Sequence, residues 1–145
     1  MSIFYSFDVS TNRTPETLMR IFLLGLGLPR NPDDECDVDT PHFHAVAGQM
    51  RKESRDQLQE LLGFYPDVSF VFRTWGDSSL EAKAEIVRGT LAICQAVAGD
   101  ATLLFNGEIV LFQRKADTLY VNSAYWRGDY SLFSPPYELK AFSVP

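Results

Sequence analysis

The chain has few of the residues on which metal centres and nucleophilic active sites depend, with two cysteines and two histidines among 145 residues. Cys36 and Cys94 fall in a predicted loop and a predicted helix, so we expect thiols rather than a disulfide. No apolar run approaches the ~20 residues of a membrane span. The opening residues, MSIFYSFDVSTNRT, lack a basic region followed by an apolar one. These absences predict a cytoplasmic protein.

Basic residues are also in the minority, with 13 against 19 acids and a net charge of −6. Five of the acids lie within residues 33–39, and the other 14 nearly balance the 13 bases, so the excess negative charge is local. A negative surface repels nucleic acids and membranes and attracts basic partners. No basic stripe with interleaved aromatic residues indicates binding to DNA or RNA.

The chain is rich in core-forming residues. Hydrophobic residues make up 46% of it, including 11 Phe, 6 Tyr and 2 Trp. Its length is that of one ordinary domain, and no internal repeat or long linker divides it. We therefore expect a single domain over residues 1–145.

Alternating apolar residues and β-branched runs predict six strands. They lie near 3–9, 43–50, 67–74, 101–105, 108–114 and 118–122. Asn106-Gly107, between two apolar runs, is the strongest short hairpin signal, because both central positions of a type I′ turn need positive φ. The run DVSFVFRTW is apolar on both faces, which predicts a central strand.

Two main helices are predicted near 15–26 and 79–98. Thr14 is the expected N-cap of the first, and Gly27 its end. Ser78 and Glu81 match a capping box for the second. Its predicted apolar stripe consists of Leu80, Ala84, Val87, Leu91, Cys94 and Ala98. A shorter helix of one or two turns is predicted from a second capping box, Ser54 with Gln57.

The order of these elements predicts an α+β fold. We expect a mainly antiparallel sheet of five to six strands, with the two main helices packed on one face and a C-terminal β-meander. The aromatic tail, residues 123–145, is predicted to be irregular and to pack over the sheet.

The segment NPDDECDVDTPHFHAV, residues 31–46, concentrates the possible metal ligands of the chain. They are Asp33, Asp34, Glu35, Cys36, Asp37, Asp39, His42 and His44. If both histidines lie on a strand, their spacing of two places them on one face. However, the paired C-x-x-C units of structural zinc sites and the spacing of an EF-hand are absent. We therefore predict no metal and favour a simpler arrangement, with His44 on the solvent face of a strand and His42 after a turn proline.

Sequence signals of catalysis are equally sparse. G-x-G in GLGLPR ends a predicted helix instead of opening one, so it is not a dinucleotide-binding loop. No phosphate-binding loop and no G-x-S-x-G elbow is present. A carboxylate pair acting as acid and base stays open, since any two of the 19 acids can meet in a fold. We predict a protein that is not an enzyme and needs no cofactor.

Four stretches in order along the chain resemble the Sit-type immunity proteins, which accompany contact-delivered lipoprotein toxins of myxobacteria. They are YSFDVSTNRTPETLMRIF, GFYPDVSFVFR, GDATLLFNGEIVLFQRK and PPYELKAF. The resemblance implies a cytoplasmic protein that binds and neutralises a cognate toxin, and it implies no catalytic residue. The acidic segment at 33–39 is not part of the resembling pattern.

In such an inhibitor, an acidic segment complements a basic surface on the toxin and speeds the encounter. The predicted partner-binding residues are Asp33, Asp34, Glu35, Asp37 and Asp39. Two alternatives remain open from the residues: a small enzyme or ligand-binding protein that uses the acidic loop with His42 and His44, and a structural adaptor module.

Overall fold

The computed structural model describes residues 3–28, 36–76 and 79–142. These residues form one sheet of eight strands together with four helices. The strands are β1 Phe4–Val9, β2 Asp37–Asp39, β3 Phe43–Gln49, β4 Val68–Thr74, β5 Ala101–Phe105, β6 Ile109–Lys115, β7 Thr118–Asn122 and β8 Glu138–Lys140. The helices are α1 Pro15–Gly25, α2 Lys52–Leu62, α3 Ser79–Ala96 and α4 Ser123–Trp126. No helix among the described residues is long and apolar enough to cross a membrane.

The strand order across the sheet is β2-β3-β4-β1-β5-β6-β7-β8. Every neighbouring pair is antiparallel except β7 and β8, which run parallel. The α+β class, the mainly antiparallel sheet and the meander β5-β6-β7 are therefore confirmed. Strand β4 lies between β3 and β1, in the interior of the sheet as its sequence predicts.

The sheet is larger than the five to six strands predicted, because β2 and β8 extend its two edges. Each has only three residues, which is too short for an alternating pattern to be recognised. β2 lies in the acidic stretch and β8 in the aromatic tail, and the composition of both regions indicates irregular structure. Pairing with β3 and β7 holds these residues extended, and no local sequence signal shows it.

The predicted hairpin at Asn106-Gly107 is confirmed. Asn106 has φ 52° and Gly107 φ 71°, the positive values that this tight turn needs. The side chain of Asn106 has a second role, because its Oδ1 accepts a hydrogen bond from the backbone N–H of Phe4 at 3.0 Å. The turn between β5 and β6 is thereby attached to the start of β1.

Helices α1 and α3 pack together on one face of the sheet, here called the inner face, as predicted. Phe22 of α1 is fully buried among three rings that project from the sheet. Its centroid lies 6.0 Å from that of Phe43, 6.0 Å from Phe70 and 5.2 Å from Phe72. This aromatic cluster, on β3 and β4, is the centre of the main core.

The tail after β7 extends the inner core over the meander, which agrees with the prediction that it packs over the sheet. Trp126 of α4 donates its indole N–H to the carbonyl of Leu111 at 3.0 Å. Phe133 packs edge-on against Phe112 with ring centroids 6.0 Å apart. The tail is less irregular than predicted, because it contains α4 and β8.

The helix boundaries test three capping predictions. Thr14 caps α1, since its hydroxyl accepts from the N–H of Thr17 at 3.2 Å. The capping box at Ser54 is wrong, because α2 begins at Lys52, two residues earlier, and Arg51 at its N-cap makes no side-chain capping bond. Ser78 of the other predicted box lies outside the described residues.

The predicted apolar stripe of α3 is only partly right. Val87 is buried, and Leu91 and Cys94 are partly buried against the core. The buried residues are Ala82, Ile86, Val87, Gly89, Thr90 and Ile93, whereas Leu80 is 73% exposed. The buried side carries small residues because α1 approaches α3 closely, and Gly89 lies directly against the ring of Phe22. Hydrophobicity alone does not reveal a helix face that is selected for small size.

The opposite face of the sheet, here called the outer face, is partly covered by α2 and the connection that follows it. Leu62 and Phe64 bury Leu104 of β5 in a second, smaller apolar cluster. Gln113 of β6 donates to the carbonyl of Leu62 at 3.1 Å, and Lys115 donates to that of Gly63 at 3.0 Å. These contacts place the C-terminal end of α2 over β5 and β6.

Candidate functional site

Two of the five predicted partner-binding acids lie on β2, at the edge of the sheet. Asp37 is paired with Val46 and Asp39 with His44 of β3, and residues directly opposite in an antiparallel pair share a face. Both carboxylates are well exposed. Asp33, Asp34 and Glu35 lie outside the described residues. The structure therefore brings Asp37 and Asp39 together with His44 on the outer face.

His44 lies between the two carboxylates. Its Nε2 is 3.1 Å from Oδ1 of Asp37, and its Nδ1 is 2.5 Å from Oδ1 of Asp39. Both contacts are hydrogen bonds only when both ring nitrogens carry protons, since a neutral imidazole has a single N–H. Even then, one imidazolium balances one of the two carboxylates. His44 by itself therefore does not neutralise both carboxylates when both acids are ionised.

This trio does not form a metal centre. Asp37 and Asp39 contact different nitrogens, on opposite sides of the imidazole ring. A single metal ion therefore cannot bind both carboxylates and a ring nitrogen in this arrangement. Over residues 3–28, 36–76 and 79–142, no three side chains among His, Cys, Asp and Glu are placed to hold a metal ion.

The two histidines do not act together, so the idea that both share a strand face is wrong. β3 begins at Phe43, which leaves His42 in the preceding turn, where strand alternation does not apply. The Nδ1 atom of His42 lies 2.6 Å from Oε1 of Glu85 on α3. The favoured interpretation is confirmed: His44 lies on the outer face and His42 follows the turn proline, Pro41.

The turn between β2 and β3 is fixed by Thr40. Its hydroxyl accepts from the backbone N–H of His42 at 3.2 Å and of Phe43 at 3.0 Å. Its carbonyl accepts the indole N–H of Trp75 at 3.0 Å. The backbone N–H of Trp75 also donates to the carbonyl of His42 at 2.9 Å. These bonds attach Trp75, just after β4, to the turn that carries the acidic strand.

Beside the acids, the outer face shows a group of apolar and basic side chains. One row across the strands runs Asp37, Val46, Val71, and a second runs Asp39, His44, Arg73. The Trp75 ring lies next to His44, with centroids 6.4 Å apart. We call this surface the outer patch; it comprises Asp37, Asp39, His44, Val46, Val71, Arg73 and Trp75.

Two open grooves lie away from the outer patch. One, of about 530 Å³, lies between α3 and the tail and is lined by Arg88, Cys94 and Arg114 among others. The second, of about 670 Å³, lies between the end of α2 and residues 140–142, over β5 and β6. Neither groove is lined by a histidine, so neither combines the imidazole base of this chain with a nucleophile.

The reactive-looking groups of the first groove have structural roles. Arg114 donates to the carbonyls of Cys94 and Val97, so it satisfies backbone acceptors at the C-terminal end of α3. Burial raises the pKa of the Cys94 thiol to about 12, although Arg114 opposes the shift. A thiol that stays protonated at neutral pH is a poor nucleophile.

Sequence reasoning missed Val46, Val71, Arg73 and Trp75 as candidate functional residues. A signal was present, because DVSFVFRTW is apolar on both faces while the predicted helices cover only one side of the sheet. If helices cover only one face of a sheet, a strand that is apolar on both faces must expose apolar residues on the uncovered face. The missing information was the place on the outer face that α2 covers.

The fold and these side chains define an α+β protein with α1 and α3 on the inner face and a partly apolar, acid-edged patch on the outer face. A family profile described as SitI3-like matches residues 3–129, so the chain belongs to the SitI3-like family. The matched range runs from β1 to α4 and leaves out β8. Comparisons with curated proteins and with solved structures give no match.

Proposed function

We propose that this chain is a cytoplasmic immunity protein that binds a cognate bacterial toxin and neutralises it without catalysis. The observation that carries the proposal is membership of the SitI3-like family over most of the chain. The toxin would be one used in competition between bacteria, and the chain would protect the cell that produces it.

The chemistry of the described residues supports binding over catalysis. Neither of the two open grooves described above is lined by a histidine. The thiol of Cys94, with its raised pKa, is unsuited to nucleophilic attack. In this respect the described residues resemble an inhibitor, which needs a complementary surface and no reacting group.

The acidic segment suits an approach to a basic toxin surface. Five acids lie within residues 33–39, and Asp37 and Asp39 project from the sheet edge beside His44. At physiological salt their field extends about 8 Å, so it acts mainly as the two proteins come together. Such charges increase the association rate more than they slow dissociation.

Co-expression with the toxin encoded beside the gene for this chain tests the proposal. Growth of a sensitive host is measured with the toxin alone and with both proteins, and complex formation is followed by size-exclusion chromatography. We expect restored growth and a stable complex. Loss of growth in both cultures, with the two proteins eluting separately, would contradict the immunity function.

Neutralising the acidic segment is expected to slow association by about tenfold at low salt and to change dissociation by less than about twofold. The substitutions are Asp33→Asn, Asp34→Asn, Glu35→Gln, Asp37→Asn and Asp39→Asn. The salt dependence of the association rate should weaken, because fewer charges attract the basic partner. Stopped-flow or surface plasmon resonance over a range of salt concentrations measures both rates.

A matched control separates local charge from net charge. It neutralises five exposed acids elsewhere: Glu60, Glu108, Asp117, Asp129 and Glu138. Both variants change the net charge equally, and the control is expected to keep most of the association rate. If both slow association alike, net charge is responsible. If neither slows it, the acidic segment has no part in the encounter.

A further inference from the structure

Within the part of the chain that the structure describes, no helix covers the outer face over β3 and β4. α2 covers the surface of β5 and β6, where Leu104 is buried. On β3 and β4, however, Val46 is 40% exposed and Val71 is 37% exposed, and the two are directly opposite each other. Outward positions of a sheet with one solvated face are ordinarily polar. A contiguous apolar pair is thus presented to solvent in the middle of the outer patch.

Trp75 adds a large aromatic surface to this pair. Its side chain is 45% exposed, yet its indole N–H is held by the carbonyl of Thr40 at 3.0 Å. The bond fixes the ring before any partner arrives, so binding to it costs little side-chain entropy. Tryptophan is enriched among the few residues that supply most of the binding energy at protein interfaces.

The rest of the outer patch is polar and charged. Asp37 and Asp39 lie on the β2 side, and Arg73 lies across the apolar pair on β4. An apolar centre with an aromatic residue and an arginine, bordered by charged groups, has the composition of a protein-binding surface. Isolated exposed apolar residues need no explanation, but a contiguous group with a charged border does.

The charge of the β2 edge selects among possible occupants. A nucleic acid or an anionic membrane would meet Asp37 and Asp39, next in sequence to three further acids. A second copy of the chain carries the same net charge of −6, so charge repulsion opposes its approach. A protein whose basic groups face β2 meets neither penalty.

We propose that the outer patch is the docking surface for a basic protein, with Trp75 and the Val46–Val71 pair at the centre of the contact and Asp37 and Asp39 at its edge. This inference rests on the proposed function, in which the basic protein is the toxin. In this arrangement the apolar centre supplies most of the affinity, and the acids increase the association rate.

The test uses the purified toxin domain encoded beside the gene and measures its dissociation constant by calorimetry. Trp75→Ala is expected to weaken binding at least about tenfold. Because this change also removes the bond to Thr40, two substitutions at Val71 provide independent variants. Val71→Lys places a positive charge against a basic partner, whereas Val71→Glu places a negative one. We expect Val71→Lys to bind at least about tenfold more weakly than Val71→Glu.

Leu139 on β8, at the opposite edge of the sheet, supplies the matched control. It is 52% exposed, and Leu139→Lys and Leu139→Glu are expected to bind like the unchanged chain. Thermal melts establish that every variant is folded. If the unchanged chain binds and the Trp75 and Val71 variants bind equally well, the docking surface is wrong while the immunity function stands. If Val71→Glu is the weaker of its pair, the partner surface is not basic. If the unchanged chain forms no complex, both proposals fail.

Discussion

Replacing Gly89 with alanine is expected to lower the free energy of unfolding by about 2 kcal/mol. The same change at an ordinary helical position raises stability by ~1 kcal/mol, because alanine is the better helix former. The sign reverses at Gly89 because a β-carbon there would overlap the ring of Phe22. That ring is fully buried and enclosed by Phe43, Phe70 and Phe72, so it has no free space into which to move.

Gly48 provides the control for this experiment. It lies on β3, and a β-carbon added to it would have no atom within 4 Å. Chemical denaturation of both variants measures the difference, and Gly48→Ala is expected to leave stability within about 0.5 kcal/mol. If Gly89→Ala is as stable as Gly48→Ala, the α1–α3 contact is looser than the structure shows and the Phe22 ring can be displaced.

This close contact also explains why part of the fold was predictable and part was not. Strands such as β1 and β4 carry alternating or continuous apolar residues, and Asn106-Gly107 determines the turn by its own conformational preference. Each of these features can therefore be recognised from a short stretch of sequence. The orientation of α3 depends instead on how near α1 approaches. A helix face made of Ala82, Gly89 and Thr90 is not conspicuous in a hydrophobicity pattern.

The pairing of the two edge strands, β2 and β8, could not be predicted for a similar reason. The residues of β2 and β8 have little strand character of their own, and they are extended because β3 and β7 offer them hydrogen-bonding partners. The turn fixed by Thr40 then brings Asp39 opposite His44. Spacing in the sequence cannot show which acid a histidine will contact when the intervening turn sets the register.

The candidate site was predictable in its charge and not in its apolar part. Five acids in seven residues are evident in the sequence, and two of them lie on the exposed edge of the sheet. Val46, Val71 and Trp75 read as ordinary strand residues, and their exposure depends on where α2 ends. Local composition therefore indicates charged surfaces well, whereas an apolar surface is recognised only when the covering elements are known.

One buried group on the outer face makes stability depend on pH. Asp8 of β1 is only 3% exposed, and it lies between Ser69 and Thr102 on the neighbouring strands. Burial raises its pKa from 3.8 to about 6, although a hydrogen bond with Ser69 opposes the shift. The folded state therefore holds this proton more tightly than the unfolded chain does. The contribution of protonated Asp8 to the stability of the folded state is fully present below pH 3.8 and is lost as the pH rises through about 6.

The ionisation of Asp8 is expected to lower the free energy of unfolding by about 3 kcal/mol between pH 4 and pH 7, the equivalent of the two-unit rise in pKa. Replacing Asp8 with asparagine is expected to abolish this decrease. Asparagine keeps the shape of the side chain and carries no charge, so at pH 7 the variant should be more stable than the unchanged chain by the same order. Urea denaturation across this pH range measures the difference between the two profiles, which isolates Asp8 from the other acids. Glu60→Gln, at an exposed position on α2, is the control and should leave the profile unchanged. Parallel profiles for Asp8→Asn and the unchanged chain would mean that Asp8 is not desolvated in the folded state and that water reaches the space between β1 and the α2 connection.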